Sequence, residues 1–291
     1  MTQAFGARIL LTPRHFPLTF GCGECVREHP SILGVATVHA GFPLYFDAMN
    51  DKGLGMAGLN FPRSAVYHPR VAGKRNMASF ELIPLVLATC ADVGEASALL
   101  RECNVTSESA AATLPATPLH WIVADGERAI TLESTRDGVQ IYENPHGVLT
   151  NEPPFPEQLA RMESVLALSP EPCTCEEGAP PLLAGGSMGL PGDYTSSARF
   201  ARALFVKTHT VPGDTERDEV ERFFHVMDSV CVPRGCVHTS QGEDHYTYYT
   251  SCASEKTGAY YFTTYNDRSV RCVCPEGERD GDTLVEYQME E

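Results

Sequence analysis

The chain has 291 residues, 43% of them hydrophobic and 21% charged. A globular chain of that length buries a sizeable core without a metal or disulfide staple. Its formal net charge is −16, from 22 basic and 38 acidic side chains. That surface repels polyanions and excludes a nucleic-acid partner, yet leaves room for a small anion held by one or two arginines. No apolar run reaches bilayer-crossing length, which excludes a membrane span of the helical kind. Eleven cysteines, an odd number, with no secretory signal, predict reduced thiols in the cytoplasm.

In chain order, residues 6–12 ("GARILLT") read as a strand that stops at Pro13. Residues 31–38 and 42–48 read as two more, and Asn50, Asp51 and Gly53 make the turn into a fourth at 54–61. Residues 78–103 carry helical apolar spacing, with Asp92 as the N-cap of the second of two helices and Pro84 near the start of the first. Strands return at 119–124, 129–134 and 138–143, the last two joined by a hairpin turn at "TRDG". A short helix near 157–167 precedes a Pro/Gly/Cys-rich loop over 169–195. Helices follow at 195–208 and 215–230, the second opening with Thr215 and Asp218 at capping-box spacing. Residues 245–274 alternate aromatic and polar side chains and read as antiparallel strands. Helices in blocks between runs of antiparallel strands predict an α+β layered sandwich, a single domain over residues 1–291.

The common catalytic patterns are absent: there is no G-x-S-x-G, H-E-x-x-H or G-x-x-x-x-G-K-[ST]. "GLPGDY" (189–194) lacks a phosphate-loop lysine and reads as a turn. "NVT" (104–106) matches a glycosylation acceptor but has no secretory signal beside it, so it reads as idle. The pairs Cys22/Cys25, Cys173/Cys175 and Cys272/Cys274 contain only one Cys-x-x-Cys spacing. They read as small semi-buried apolar side chains, with a zinc or redox site as the competing reading.

Three polar residues stand in apolar, strand-like surroundings: Asn60 closes "GMAGLN", Asn151 closes "HGVLTN", and Arg234 sits in "VCVPRGC". Singly, each reads as a turn or cap residue. Together, two amides and a guanidinium are donors suited to a developing oxyanion and an adjacent carboxylate.

The blocks "PLYFDAMNDKGLGMAGLNFP" (43–62), "TPLHWIVADGERAITLESTRDGVQIYENPHGVLTNEPPF" (117–155), "GLPGDYTSSARFARALFVK" (189–207) and "TYYTSCASEKTGAYYFTTYNDRSV" (247–270) resemble the choloylglycine hydrolase family. That family holds bile salt hydrolases and penicillin V acylases and belongs to the N-terminal-nucleophile hydrolases. The resemblance runs in order from about residue 5 to the end. It implies the four-layer α-β-β-α sandwich and cleavage of a linear amide by a chain-terminal cysteine whose own α-amine is the base. It carries the oxyanion donors onto Asn60 and Asn151 and the late active-site arginine onto Arg234. It implies no metal and no organic cofactor. The expected partner is a small-molecule N-acyl amide, and the expected state is a homo-oligomer, with a tetramer as the family's common form. Asparagine after "AGL" resembles bile salt hydrolases, whereas penicillin V acylases tend to an aromatic residue there.

The resemblance also implies a departure. The family's first strand carries the cysteine, and a following Gly-Arg-x-x-Asp segment carries an arginine and an aspartate of the site. "FGARILLTPRHF" matches the strand after that segment, so the chain is expected to lack the catalytic segment and to be inactive as given. Thr2 lies in the wrong register to substitute, and an internal cysteine brings no α-amine. Phe5 is the candidate for the acyl pocket, with a core position as its competing reading. The competing functions are a penicillin V acylase-like amidase and a non-catalytic bile-salt binder.

Overall fold

The computed structural model of the protein describes residues 6–172 and 186–289. The chain forms two compact units: residues 1–147 with 248–291, and residues 148–247.

In chain order the first unit contains β1 (Arg8–Thr12), β2 (Leu18–Thr19), β3 (Cys25–Val26), β4 (Ile32–His39), β5 (Phe42–Asn50), β6 (Gly55–Asn60) and β7 (Arg75–Ala78). Helices α1 (Leu82–Thr89) and α2 (Val93–Glu102) follow, then β8 (Cys103–Thr106), β9 (Leu119–Ala124), β10 (Ala129–Thr135) and β11 (Gly138–Glu143). The second unit contains α3 (Phe155–Ala160), α4 (Met162–Leu166), α5 (Ser196–His209) and α6 (Glu216–Asp228). The chain then returns to the first unit with β12 (Tyr249–Ala253), β13 (Tyr260–Thr264), β14 (Arg271–Val273) and β15 (Val285–Tyr287).

Eight strands form one antiparallel sheet in the order β11-β10-β9-β6-β5-β4-β1-β15, and β12-β13-β14 form a second sheet. The period of two along each strand assigns the faces. Leu10 and Ile32 point into the cluster shared with α1 and α2. Their neighbours Ile9, Leu11, Leu33 and Val35 point the other way, onto Tyr260 and Phe262 of β13. The first unit is therefore a helix layer, a large sheet and a small sheet. Residues 9–12 of β1 and 32–36 of β4 are buried on both faces, and each such aliphatic side chain contributes about 1.5–3 kcal/mol on burial.

Helix α1 is apolar on every side, and residues Leu82 to Ala88 are all buried. Such a helix belongs inside the molecule, not on its surface. Its last turn is closed by a side chain from the sheet. Asn50 donates from Nδ2 to the carbonyls of Leu87 (2.9 Å) and Cys90 (2.8 Å), and its Oδ1 accepts from the backbone of Lys52 and Leu54. One buried amide thus shapes the β5–β6 turn and ends a helix, with all of its donor and acceptor positions engaged. The expected cap of α2 is present: Asp92 Oδ1 accepts from Glu95 N at 2.8 Å.

The backbones of β4 and β5 approach closely at Gly34. A Cβ there would lie 2.1 Å from the Asp47 carbonyl oxygen and 2.5 Å from Ala48. The register of the two strands shifts beside it, between Val35 and Ala36.

Several elements depart from the sequence expectation. The helical spacing expected to 103 ends at Glu102, where the chain turns extended at Cys103 (φ −77°, ψ 153°) and runs into β8. β8 pairs in parallel with β7, so α1 and α2 are the crossover between two short strands. Neither strand has enough residues to show a period. β15, three residues long, closes the large sheet beside β1. The expected helix near 157–167 is broken into α3 and α4 at Arg161. Asn104 of the glycosylation match is buried, its amide donating to Pro69 O and Asn76 Oδ1.

In the second unit, Phe200, Leu204 and Phe205 of α5 pack against Met162 and Val165 of α4. Thr195 caps α5 through Ala198 N, and the expected capping box joins Thr215 and Asp218 at the start of α6.

Candidate active site

Asn60 is the last residue of β6, opposite Leu119 of β9, and is partly exposed. The residue after it is clamped. Phe61 is fully buried, its N–H donates to Pro118 O at 2.8 Å, and its ring stacks on the His120 imidazole with centroids 4.3 Å apart and planes 5° apart. His120 Nδ1 lies 3.1 Å from Glu133 Oε1, and both side chains are completely buried. A buried polar pair survives only when its members satisfy each other, so His120 and Glu133 constrain one another. The stack passes that constraint to the backbone at the exit of β6, where Asn60 sits.

Asn151 follows a coil segment in the second unit, not a strand as expected. Gln158 of α3, almost fully buried, donates from Nε2 to Asn151 O (2.8 Å) and Pro153 O (2.7 Å). The next bond, Glu152–Pro153, is cis. Thr150 donates to Ser196 O (3.1 Å) and receives the Ser196 hydroxyl (2.9 Å), which ties the segment to the start of α5. The Asn151 side chain is held as well: Arg199 Nη2 on α5 donates to its Oδ1 at 2.7 Å.

Arg234 lies in a turn, where Cys236 N bonds Pro233 O, and its side chain is 63% exposed. The expected strand-like, apolar setting is not present, because "PRG" reverses the chain and Gly235 takes φ +85°. Arg234 Nε donates to Asp244 Oδ2 at 2.9 Å, and the guanidinium lies 5.6 Å from the Tyr246 ring centroid. A carboxylate and an aromatic face thus orient an exposed cation. Asn60 is in the first unit, and Asn151 and Arg234 are in the second. Phe5, Thr2, Cys173 and Cys175 lie outside the described residues.

The sequence reading missed Arg199, Gln158, His120 and Glu133. The last two carried a signal: His120 is the polar residue in the apolar run "LHWIV", and Glu133 is the charged residue in the strand "AITLES". It also missed a carboxylate in the first unit. Asp47 of β5 accepts from Tyr249 Oη (2.5 Å), Ser251 Oγ (3.0 Å) and the Tyr260 hydroxyl. Burial pushes the Asp47 carboxyl above its ordinary value, against the pull of the three hydroxyl donors.

The described cysteines are free. Burial pushes the Cys103 thiol up to about 12 and raises Cys90 as well, so neither is an activated thiolate. Among the described residues no group of His, Cys, Asp and Glu has metal-binding geometry. A cleft of about 280 Å³ opens in the second unit beside Gln158, Arg161, Asp193 and Ser197, and none of the expected site residues lines it.

The profile of the linear amide C–N hydrolases, choloylglycine hydrolase family, matches residues 1–277. The chain is 37% identical to a bile salt hydrolase/transferase of Lactiplantibacillus plantarum, across 98% of this chain and 90% of the relative. It is 30% identical to a bile salt hydrolase/transferase of Clostridium perfringens, across 98% and 89%. Among solved structures, a variant of the conjugated bile acid hydrolase of Clostridium perfringens superposes with a TM-score of 0.91 at 29% identity, covering 98% of this chain and 90% of that one. The penicillin V acylase of Agrobacterium tumefaciens superposes at 0.77 with 19% identity, covering 98% and 84%, a likeness of fold alone. The α+β fold implied by the resemblance is the fold of these structures.

Proposed function

The chain belongs to the choloylglycine hydrolase family of linear amide C–N hydrolases, and from that premise we propose that it acts on conjugated bile salts, as one catalytic domain releasing glycine or taurine. The observation that carries the substrate class is its 37% identity to a bile salt hydrolase/transferase over nearly the whole chain. The asparagine of "AGLNFP" supports the same choice over an N-acyl penicillin.

Attack on the amide carbonyl makes a tetrahedral oxyanion, and pre-aimed N–H donors stabilise it more than they stabilise the planar amide. In this reading Asn60 and Asn151 are those donors. Arg234, exposed and oriented by Asp244 and Tyr246, receives the carboxylate or sulfonate of the amino-acid part. The nucleophile is carried by the family resemblance alone, and the residues described supply the donors. A reducing, cytoplasmic setting belongs to the same reading, supported by the exposed thiols of Cys22, Cys25, Cys272 and Cys274. So does assembly into a homo-oligomer.

The test incubates the purified chain with glycocholate, taurocholate, unconjugated cholate and phenoxymethylpenicillin. Binding is followed by titration calorimetry and released glycine or taurine by chromatography. Both conjugates should bind more tightly than cholate, and cleavage is expected where the chain carries the terminal cysteine that the family resemblance implies. Binding without cleavage by a chain that carries that cysteine would establish a non-catalytic binder. Cleavage of the penicillin alone would establish an acylase. A folded protein that neither binds nor cleaves any of them would sink the reading.

A further inference from the structure

Asn60 is partly exposed, whereas Phe61, the next residue, is fully buried and held at three points. Leu59 stands opposite His120 in the β6–β9 register, so Phe61, two residues on, is a diagonal neighbour of His120 on the same face. The two rings stack with centroids 4.3 Å apart and planes 5° apart. The imidazole cannot turn without breaking its contact with Glu133 Oε1, 3.1 Å away on β10. The Phe61 backbone is held on both sides: its N–H donates to Pro118 O at 2.8 Å, and its carbonyl accepts from Ala65 N at 3.0 Å.

The chain that leaves Phe61 comes back to the same two strands. Val66 N donates to Ser134 O at 2.8 Å, and Ser134 Oγ donates in return to Val66 O at 2.7 Å. Tyr67 Oη donates to Thr117 O (2.6 Å) and accepts from Leu119 N (2.8 Å). Residues 61–68 thus form a strap closed on the entry of β9 and the exit of β10. Two of its fastening points, Leu119 and Ser134, adjoin His120 and Glu133 in sequence. A completely buried ionisable pair is no more stabilising than apolar side chains of the same volume. What it adds is direction: a hydrogen bond sets the angle of the imidazole plane, which apolar packing leaves to the rotamers.

We infer that His120 and Glu133 are positioning residues for Asn60: their bond sets the imidazole plane, the imidazole sets the Phe61 ring, and Phe61 sets the backbone from which the Asn60 amide reaches an oxyanion. Both are completely buried, so they act through Phe61 and not on a substrate. The inference rests on the reading of Asn60 as an oxyanion donor, and its test separates the two.

The side-chain NH2 resonances of Asn60 in the ¹⁵N-labelled full chain, identified by their loss in Asn60→Asp, report its placement and need no turnover. Those of Asn50, bonded to Leu87 O and Cys90 O, report the integrity of the same sheet. His120→Leu/Glu133→Leu removes the directional bond and keeps the site apolar and filled. In that variant the Asn60 resonances should shift and exchange with solvent about tenfold faster, while those of Asn50 stay in place. Glu133→Gln, which can still bond the imidazole, should keep most of the original position. In the hydrolysis assay, on a chain that carries the terminal cysteine, the double leucine variant should lower kcat by about 10- to 100-fold. KM should stay within about threefold, because the donor acts in the transition state and not in binding. Glu133→Gln should recover most of the rate, and adding Asn60→Ala to the double leucine variant should make it no slower than Asn60→Ala alone. Unchanged Asn60 resonances in the folded double variant, equal movement of the Asn50 resonances, or rate losses that simply add would overturn the inference. If the double variant does not fold, Phe61→Leu, which removes the stack and leaves the pair, carries the same comparison. If Asn60→Ala leaves turnover intact, the oxyanion reading fails, while the resonances still decide what the pair does.

Discussion

Tyr249 Oη and Asp47 Oδ2 lie 2.5 Å apart, joining the small sheet to the large one across 202 residues of chain. Ser251 and Tyr260 reach the same carboxyl from β12 and β13. The cluster is a polar rivet between two otherwise apolar faces.

Replacing that carboxyl should therefore loosen the sheet pair. Asp47→Ala leaves three hydroxyls without their acceptor and should destabilise the protein by about 2–4 kcal/mol in urea unfolding. The pH dependence has a definite sign. Burial raises the folded Asp47 above its ordinary value, so between the two values the native state holds the proton more tightly than the unfolded chain. The contribution of this site is complete below the unfolded pKa and is lost as pH rises through the folded one. Asp47→Asn, which cannot titrate, should lack that slope, and parallel stability profiles of the two proteins would refute the assignment.

The His120–Glu133 pair predicts a strong coupling. Glu133→Leu leaves a buried imidazole without its carboxylate and should cost about 3–5 kcal/mol. Because the lost partner is the reason for the cost, His120→Leu/Glu133→Leu should be more stable than the sum of the two single changes predicts. Denaturant melts of the four proteins measure this. Simple additivity would show that the two side chains act independently.

Gly34 predicts a steric failure. A methyl group there would sit 2.1 Å from the Asp47 carbonyl oxygen. Backbone cannot yield as a flexible side chain does, so Gly34→Ala should cost about 3 kcal/mol or more and lower the melting temperature accordingly. At Gly41 a methyl group would meet no atom within 4 Å, but φ is +80°. The same change there should cost only about 1 kcal/mol.

Arg234 predicts a salt-sensitive effect on binding. In the proposed reading Arg234→Ala should weaken glycocholate and taurocholate about tenfold and leave cholate binding nearly unchanged. Because the side chain is 63% exposed, the difference should shrink as ionic strength rises. Equal weakening of cholate would remove Arg234 from recognition of the conjugate.

Much of the fold was legible because its causes are local. The strands at 119–124, 129–134 and 138–143 follow from alternation and from turn residues between them. Asp92 and the Thr215–Asp218 box marked their helix starts because a cap acts within three residues. The short strands β7, β8 and β15 were not legible, since three or four residues carry no measurable period and are held in place by their partners. The candidate donors were legible as three residues in quoted motifs. Their settings were not: Arg234 sits in an exposed turn, where "PRG" reverses the chain, and Asn151 sits in coil, which apolar composition does not reveal.

The sequence by itself determined the family, the local elements and the residue types offered to an anion, all of which depend on neighbours a few positions apart. Only the tertiary structure decided that Arg199 meets Asn151 across 48 residues, that His120 meets Glu133, and that three hydroxyls converge on Asp47. Hydrogen bonds have directions and lengths near 3 Å, so they exist only after packing of the apolar faces has brought distant segments into place.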